Sequence, residues 1–348
     1  MQKLFVGIDV SKKNLDVAYW QQNENKDSKA IFLGKFANDA DGFQTIAQAV
    51  EKIKDIEGCE SIFLVMEPTG GYEQPMTYFA YNLGWQVSLP NPKQVKDWIR
   101  GTGTRAKTDK IDALMLAKYG AVQNPLDWKP LPEEVAQLDS MLSRLQVLKD
   151  MLASEKNQCE SLGYRVVNHP IVSQNLGENM ASLERQIKEL EKAVQEHYKK
   201  HQHLREQRKR LKTVNGVGDR IADVMVVAMN RFDSLTDSSG TSKGITAYYG
   251  LDPKPYESGS SVRKRPGISR QGNTEIRHYL FMGALGGVGG RSGRKVDTPL
   301  RSFYKSLVDR GKPKKVALVA AARKILVWCW AVFRQGKPFD PTRCQHSH

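Results

Sequence analysis

Four carboxylates in the first third of the chain have types and spacing that suit metal-ion chemistry. Asp9 closes an apolar run near the start of the chain, and Glu67 directly follows a second apolar run. Asp109 and Asp112 are three residues apart in TDKIDALMLA, a segment with helical periodicity, so both lie on one helix face. Carboxylate oxygens are the ligands that Mg²⁺ prefers, and two such ions about 4 Å apart could be held where these acids meet.

Each of these acids alone also has an ordinary explanation. An aspartate after a threonine commonly starts a helix, as Asp109 does after Thr108, and surface acids are often simply solvated. The joint arrangement favours the metal site, because a carboxylate at the end of a buried strand costs free energy without a compensating ligand. If the two acid-bearing strands are neighbours and the helix packs across them, all four acids converge.

The segments that must position these acids predict an α/β domain over residues 1–125. Short apolar runs predict a meander of strands, followed by an alternation of helices and strands. The predicted strands are residues 3–10, 17–20, 31–36, 61–66 and 86–89, and the predicted helices include residues 43–50, 72–83 and 108–117.

The middle of the chain, residues 126–205, has the periodicity of two long amphipathic helices. Leucines recur every three or four residues from Leu138 to Leu152, and a second such pattern follows a break at His169 and Pro170. This segment is expected to be either an intramolecular helical hairpin or a coiled coil between subunits. The histidines of its last part lack a metal-ligand pattern and are expected to face solvent.

A Gly-x-Gly corner, formed by Gly216 and Gly218 in LKTVNGVGDRIADV, separates two further helical patterns. The amides at the start of the second helix could bind a phosphate, as in the helix-hairpin-helix that contacts DNA independently of sequence. An ordinary helical corner remains the alternative. A dinucleotide fingerprint is excluded because Ile221 occupies the third glycine position, and no phosphate-binding loop for ATP occurs.

The charge balance favours a polyanionic partner. Lys and Arg number 53 against 38 Asp and Glu, a formal net charge of +15, while 40% hydrophobic content excludes general disorder. Nucleic acid is the first candidate, and a lysine-rich solvated surface is the alternative.

Cysteine spacing and hydropathy predict a cytoplasmic protein. The four cysteines are far apart, which excludes a zinc ribbon and a disulfide framework. The apolar stretch 316–333 carries Arg323 and Lys324 at its centre, so we expect a buried helix and no membrane span.

Three segments with the acids, GIDVSKKNLDVAYW, VMEPTGGYEQP and RAKTDKIDALMLAKYG, resemble the amino-terminal RuvC-like domain of the IS110 insertion-sequence family of DEDD transposases. This resemblance implies an RNase H-like fold with divalent metal at Asp9, Glu67, Asp109 and Asp112. In the second half, LKTVNGVG and ITAYYGLDPKPYESGSSVRKRPGISRQGNTEIRHYLFMGAL resemble the second domain of the same family. The resemblance covers nearly the whole chain.

By this resemblance, residues 206–340 form a mainly α-helical transposase domain in which Ser258 is the nucleophile. Ser260, Ser261 and Ser269 are further candidates. No Ser-His-Asp arrangement is evident, so the metal site would have to activate the serine. A basic loop around the serine is expected to position phosphates, through Arg263, Lys264, Arg265, Arg270 and Arg277, while Asn273 would steady this loop or contact DNA. Without the resemblance, a flexible solvated loop would be the simpler interpretation.

The predicted function is a DNA transposase or recombinase that exchanges strands through a phosphoserine intermediate with Mg²⁺. The resemblance further implies a bridge RNA that pairs with donor and target DNA. It also implies a homo-oligomer, a dimer or tetramer, in which the acids of one subunit meet the serine of another. The alternatives are a RuvC-like junction nuclease that uses water, a Piv-like DNA invertase, and a non-enzymatic nucleic-acid-binding protein.

Overall fold

The chain is described here by a computed structural model that covers residues 2–21, 28–103, 108–236, 238–258, 262–289 and 297–344. It divides into two compact units. Unit 1 comprises Met1–Pro130 with Ser234–Ser239, and unit 2 comprises Leu131–Asp233 with Gly240–His348.

Unit 1 is built on a mixed five-stranded sheet. Its strands are β1 (Lys3–Val10), β2 (Asn14–Gln21), β3 (Lys29–Ala37), β4 (Ser61–Met66) and β5 (Gln86–Ser88), in the order β3-β2-β1-β4-β5. The first three strands form an antiparallel meander, and β4 and β5 continue the sheet in parallel with β1. Its helices are α1 (Ala40–Ile56), α2 (Gln74–Asn82), α3 (Pro92–Gly101) and α4 (Asp109–Gln123). This arrangement confirms the α/β prediction and is consistent with an RNase H-like fold.

The two faces of this sheet bury different sets of side chains because residues alternate along each strand. Leu4, Val6 and Ile8 of β1 belong to the larger core, which also contains apolar residues of α1 and α2. Phe5 belongs to the core on the opposite face, together with residues of α4. Gly7 also lies under α4, where a Cβ atom would be only 2.2 Å from the backbone nitrogen of Ala117. Glycine at this position therefore lets α4 approach the sheet closely.

Unit 2 is mainly helical, as predicted. Its elements are α5 (Glu133–Leu162), α6 (Pro170–Lys200), α7 (Gln202–Leu211), α8 (Asp219–Leu235), α9 (Ser242–Tyr248), β6 (Pro253–Ser258), β7 (Val262–Ile268), α10 (Thr274–Gly289), α11 (Pro299–Asp309) and α12 (Lys314–Gln335). Helices α8 and α12 together supply half of the buried residues of its core.

The long helices α5 and α6 form an antiparallel hairpin within the chain. The Lys149 ammonium lies 2.7 Å from the Glu191 carboxylate, and Lys156 lies 3.2 Å from Glu184 nearer the connecting loop. Apolar residues of both helices, including Leu148, pack between these ion pairs. Of the two arrangements that the leucine pattern allowed, the structure contains the intramolecular one; association between subunits stays a prediction.

Within the described ranges, α12 is the single helix long and apolar enough to cross a membrane, and half of its most apolar window is buried. It packs against α10 and α11, with Ala321, Ile325 and Cys329 fully buried in the core. The prediction of a buried helix at this position is confirmed.

Candidate active site

The register of the sheet places Asp9 beside two other carboxylate positions. Asp9 is opposite Asp16 across the antiparallel pair β1 and β2, so their side chains share one face. On the other side, Ile8 pairs with Met66 of the parallel strand β4, and the next residues along the two strands are Asp9 and Glu67. The two acid-bearing strands are therefore neighbours, which meets the first condition for convergence of the acids.

Helix α4 begins at the same edge of the sheet. The Thr108 hydroxyl accepts a hydrogen bond from the Ile111 amide at 3.2 Å, which starts the helix so that Asp109 and Asp112 fall in its first turn. The middle of the helix lies over Gly7, and Gly120 near its end lies over Phe5. Helix α4 therefore runs opposite to β1, and its acidic first turn lies at the end of β1 that carries Asp9.

Burial and the neighbouring acids both affect the ionisation of Asp9. The pKa of Asp9 is raised from 3.8 to about 6, first by burial and then by the negative charges of Asp112, Asp109 and Asp16. Lys35 pairs with two acids of this cluster, since its ammonium lies 3.4 Å from Asp16 and 3.9 Å from Asp109. Acidic residues of two strands and of one helix turn therefore lie at the same end of β1.

This donor set fits a hard divalent cation. Its ligand atoms are carboxylate oxygens, and a bound cation would offset both the burial of the Asp9 charge and its repulsion by the neighbouring acids, which together raise the pKa of Asp9. Among the residues described, no three carboxylate, histidine or cysteine side chains are close enough together to hold one metal ion. Small rotations of the acidic side chains would thus have to accompany binding.

Asp16 and Lys35 are members of the cluster that sequence reasoning missed. Asp16 interrupts the apolar run of β2, and its residue is only 6% exposed. A buried acid within a strand was a signal available in LDVAYW, because such a group needs a partner. Lys35, on β3, could be assigned only once the register opposite Asp16 was known.

The loop after Glu67 is organised by a second acid, Glu73. Its carboxylate accepts hydrogen bonds from the backbone amides of Thr69 and Gly71, both at 2.9 Å, and from the Thr69 hydroxyl at 3.1 Å. Burial alone would raise the pKa of Glu73, but these hydrogen bonds lower it below its ordinary value. Gly70 and Gly71 have φ of +76° and +115°, which favours glycine in this tight turn.

Ser258 is the last residue of β6 and pairs with Val262 of β7 in an antiparallel hairpin. The same hairpin pairs Glu257 with Arg263 and Tyr256 with Lys264, and Arg265 follows in β7. The basic loop expected here is therefore wrong, because residues 253–258 and 262–268 pair through their backbones as a two-stranded ribbon. The structure describes only the backbone of Ser258, Arg263, Lys264 and Arg265. Ser260 and Ser261 lie outside the described residues.

Two residues that were predicted to contact nucleic acid order the backbone around the start of α10. The Arg277 guanidinium donates to the carbonyl oxygens of Gly272 at 3.0 Å and Tyr249 at 3.3 Å. The Asn273 side chain accepts from the Glu275 amide at 2.8 Å and so caps α10. Both residues thus have a structural role at the start of α10, and their contact with nucleic acid stays a prediction.

Two more of the predicted residues lie in the same segment. Arg270 is exposed, has φ of +55°, and its amide donates to the carbonyl of Gly250 at 3.1 Å. Ser269, next to it, donates its hydroxyl to the Asp252 carboxylate. Arg270 therefore has an exposed side chain on a backbone that is fixed.

The corner with Gly216 and Gly218 joins α7 to α8, as the sequence predicted. A Cβ atom on Gly216 would be 2.6 Å from the carbonyl oxygen of Gly283, so this glycine permits close contact with α10. The first turn of α8 carries Asp219, whose carboxylate binds Lys212 at 2.7 Å. Close packing against α10 is enough to explain the glycine at position 216. Phosphate binding at this corner stays a prediction.

Comparison with known proteins agrees with this arrangement. Residues 6–162 match the family model of the IS110-type DEDD transposase domain, described as a transposase, and residues 208–296 match a model described as "Transposase IS116/IS110/IS902 family". Two curated relatives, both named "Pilin gene-inverting protein", come from Moraxella bovis and Moraxella lacunata. Each is 28% identical over 341 residues, which is 98% of both chains. With both halves matched and the acids on one sheet edge, the chain belongs to the IS110 family of transposases.

Proposed function

We propose that this member of the IS110 family cuts and exchanges DNA strands through a covalent link to Ser258, with Mg²⁺ held by Asp9, Glu67, Asp109 and Asp112. The observation that carries the proposal is the placement of these acids at one edge of the sheet, with Asp9 and Glu67 at the ends of neighbouring strands and Asp109 and Asp112 in the first turn of α4. Repulsion between these acids lowers stability unless a ligand is bound. Such a cluster is therefore expected where the function requires a bound cation.

Each of the four acids would supply carboxylate oxygens as ligands of the bound cations. Two bound divalent ions, once present, offset negative charge on the phosphate and favour the ionised form of a nearby hydroxyl. The sheet contributes Asp9 at a fixed backbone position, while the start of α4 contributes Asp109 and Asp112 together. Before the ions bind, the Lys35 ammonium would offset part of the negative charge of Asp16 and Asp109.

In the proposed chemical step, the Ser258 oxygen forms a bond to phosphorus as the bond from phosphorus to one DNA strand oxygen breaks. The serine proton leaves to a base, and the departing strand oxygen takes up a proton, so that a phosphodiester is exchanged for a phosphodiester. Strand exchange reverses the step with a different strand end as nucleophile. The number of phosphodiester bonds is conserved, so no ATP is required.

The partners follow from the same proposal. Donor and target DNA are the substrates, and a bridge RNA that pairs with both is expected from the family. The acids and the serine lie in different compact units, and we propose that a dimer or tetramer brings the acids of one subunit to the serine of another. The α5 and α6 hairpin and its coiled-coil-like leucine pattern would be an assembly element, and the corner at Gly216 and Gly218 would contact nucleic acid.

Site-specific inversion is the second candidate within the same chemistry. It is favoured by the two relatives named as pilin gene-inverting proteins, which align over 98% of the chain. A transposase moves a DNA segment between molecules, whereas an invertase reverses it in place, so the geometry of the two sites on DNA decides between them. The strand chemistry at Ser258 would be the same.

The decisive experiment incubates the protein with Mg²⁺, end-labelled junction DNA and RNA transcribed from the flank of its own element. A labelled strand should migrate with the protein on a denaturing gel, and peptide mapping should place it on Ser258. Ser258→Ala should abolish the adduct and retain DNA binding, while Ser269→Ala, altered in the same segment, is the matched control. Cleavage by the wild type without an adduct would identify a hydrolytic nuclease and contradict the serine assignment.

A further inference from the structure

The last two turns of α6, one side of α7 and the residue that follows α7 line an open groove of about 440 Å³ in unit 2. Five cationic side chains line it, and the buried ring of Tyr198 contributes to its wall. The cations are Lys199, Arg205, Arg208, Lys209 and Lys212. We propose that this groove binds the sugar-phosphate backbone of the DNA on which the protein acts, independently of base sequence.

The groove retains unpaired positive charge. Asp219 and Asp223 pair with Arg208 at 2.9 Å and 2.5 Å, and Asp219 also pairs with Lys212. These contacts account for two of the five cations. The remaining three, Lys199, Arg205 and Lys209, are exposed and have no ion pair with any carboxylate that the structure describes. Three free cations on one groove are a binding surface for phosphates.

Stabilisation of helix ends does not explain all of these cations. Lys199 and Lys209 lie in the last turns of α6 and α7, where positive charge is favourable to the helix dipole. Arg205 is the fourth residue of α7, near the positive end of the same dipole, where a cation is unfavourable. Arg205 therefore has no benefit for the helix, and its position suggests a ligand outside the protein.

The spacing of the cations fits a chain of phosphates better than one small anion. Arg205 and Lys209 are four residues apart on α7, and so are Arg208 and Lys212, which separates each pair by about 6 Å along the helix axis. The Arg208 guanidinium lies 5.2 Å from the centre of the Tyr198 ring, which restricts its motion. Charge is therefore distributed along a rigid wall, as a linear polyanion requires.

DNA is the favoured source of these phosphates because the family to which the chain belongs consists of transposases. This inference rests on the function as a DNA recombinase but not on the chemistry at Ser258 or on Mg²⁺. Its test is therefore a binding measurement on the full-length protein in EDTA, where neither cleavage nor an adduct forms. Failure of the groove and failure of the serine mechanism are then separately visible.

The experiment compares a groove variant, Lys199→Gln with Arg205→Gln and Lys209→Gln, with a matched control, Arg185→Gln with Lys188→Gln and Lys192→Gln. The control removes the same number of Arg and Lys residues from the exposed surface of α6 outside the groove. Affinity for random-sequence duplex DNA is measured between about 50 and 200 mM salt. The groove variant should bind at least about tenfold more weakly. The negative slope of log K against log salt should become shallower by about 3.

Two further measurements keep the proposal falsifiable. Asp219→Asn frees Lys212 and should make the salt slope steeper by about 1, a change opposite in sign that misfolding would not produce. Equal losses in the groove and control variants would overturn the proposal, because net charge alone would then explain binding. Weaker binding of RNA with unchanged binding of DNA would equally overturn it in favour of an RNA site.

Discussion

At the scale of single residues, the active site combines one acid that the fold destabilises with one that it stabilises. The pKa of Asp9 is raised by burial and neighbouring acids, whereas hydrogen bonds from Thr69 and Gly71 lower that of Glu73. The first acid stands where a cation would bind, and the second holds the loop that follows Glu67. The opposite signs of the two pKa shifts agree with a proposed ligand role for Asp9 and a structural role for Glu73.

Asp9→Asn should make the protein more stable at pH 7.5 in EDTA. Between its ordinary pKa of 3.8 and its value of about 6 in the fold, Asp9 holds a proton that the unfolded chain releases, so wild-type stability falls as pH rises through this range. Asparagine removes this loss. We expect a gain of about 1 kcal/mol, allowing for solvent screening, or roughly 3 °C in Tm, which disappears near pH 4. Thermal unfolding at both pH values measures it.

Glu73→Gln is the contrasting control for this measurement. Its lowered pKa contributes stability above the ordinary value of 4.5, and this contribution is lost as pH falls through the value in the fold. The variant should therefore be less stable than the wild type at pH 7.5, by about 1–3 kcal/mol, and nearly equal to it in strong acid. If Asp9→Asn also lowered Tm at pH 7.5, the acids would not repel one another as described.

At the scale of elements, the site depends on how closely α4 approaches β1. Backbone atoms of Ala113 and Ala117 stand within 2.3 Å of the position that a Cβ atom of Gly7 would take. The approach brings the first turn of α4 to Asp9, so the acids depend on a glycine that is two residues away from the nearest of them. Close packing of a helix on a sheet here has a direct consequence for charge.

Gly7→Ala should destabilise the protein and displace α4. Because the new methyl group meets backbone atoms, which cannot rotate away, we expect a loss of about 3 kcal/mol in the free energy of unfolding, measured by urea denaturation. Gly177→Ala is the matched control, since Gly177 lies inside α6 with no atom within 4 Å of its Cβ position. That substitution should stabilise by about 0.5–1 kcal/mol. Unchanged stability in Gly7→Ala would contradict the packing.

The sequence predicted most of these elements but not all of their contacts. The apolar runs of β1 and β4 and the Thr108 cap are local patterns, and each occurs at the expected place. The β6 and β7 hairpin was not predicted, because its charged and proline-containing strands lack the apolar alternation that marks a strand facing a core. The segment LDVAYW indicates that Asp16 needs a partner, but its position opposite Asp9 follows from pairing between strands, which no local pattern encodes.

At the scale of the whole molecule, the chain separates its two proposed chemical groups. Asp9, Glu67, Asp109 and Asp112 belong to unit 1, and Ser258 belongs to unit 2. Each unit has its own hydrophobic core, so each can present its group without the other. Such a division allows a catalytic centre to be completed only when the subunits and DNA have assembled, which would restrain unwanted cleavage.

Mixing two inactive variants tests this division directly. If the acids of one subunit act on the serine of another, a mixture of Asp9→Asn and Ser258→Ala chains should form the covalent DNA adduct that neither variant forms alone. If equal amounts of the two chains pair at random, about half of the dimers contain one chain of each variant. Each of these mixed dimers has one intact centre, whereas a wild-type dimer has two. Adduct yield should therefore reach roughly a quarter of the wild-type yield. Because only the Asp9→Asn chain retains the serine, a size tag should place all of the adduct on that chain. A mixture without adduct, under conditions in which the wild type forms it, would mean that the acids and the serine of one chain act together.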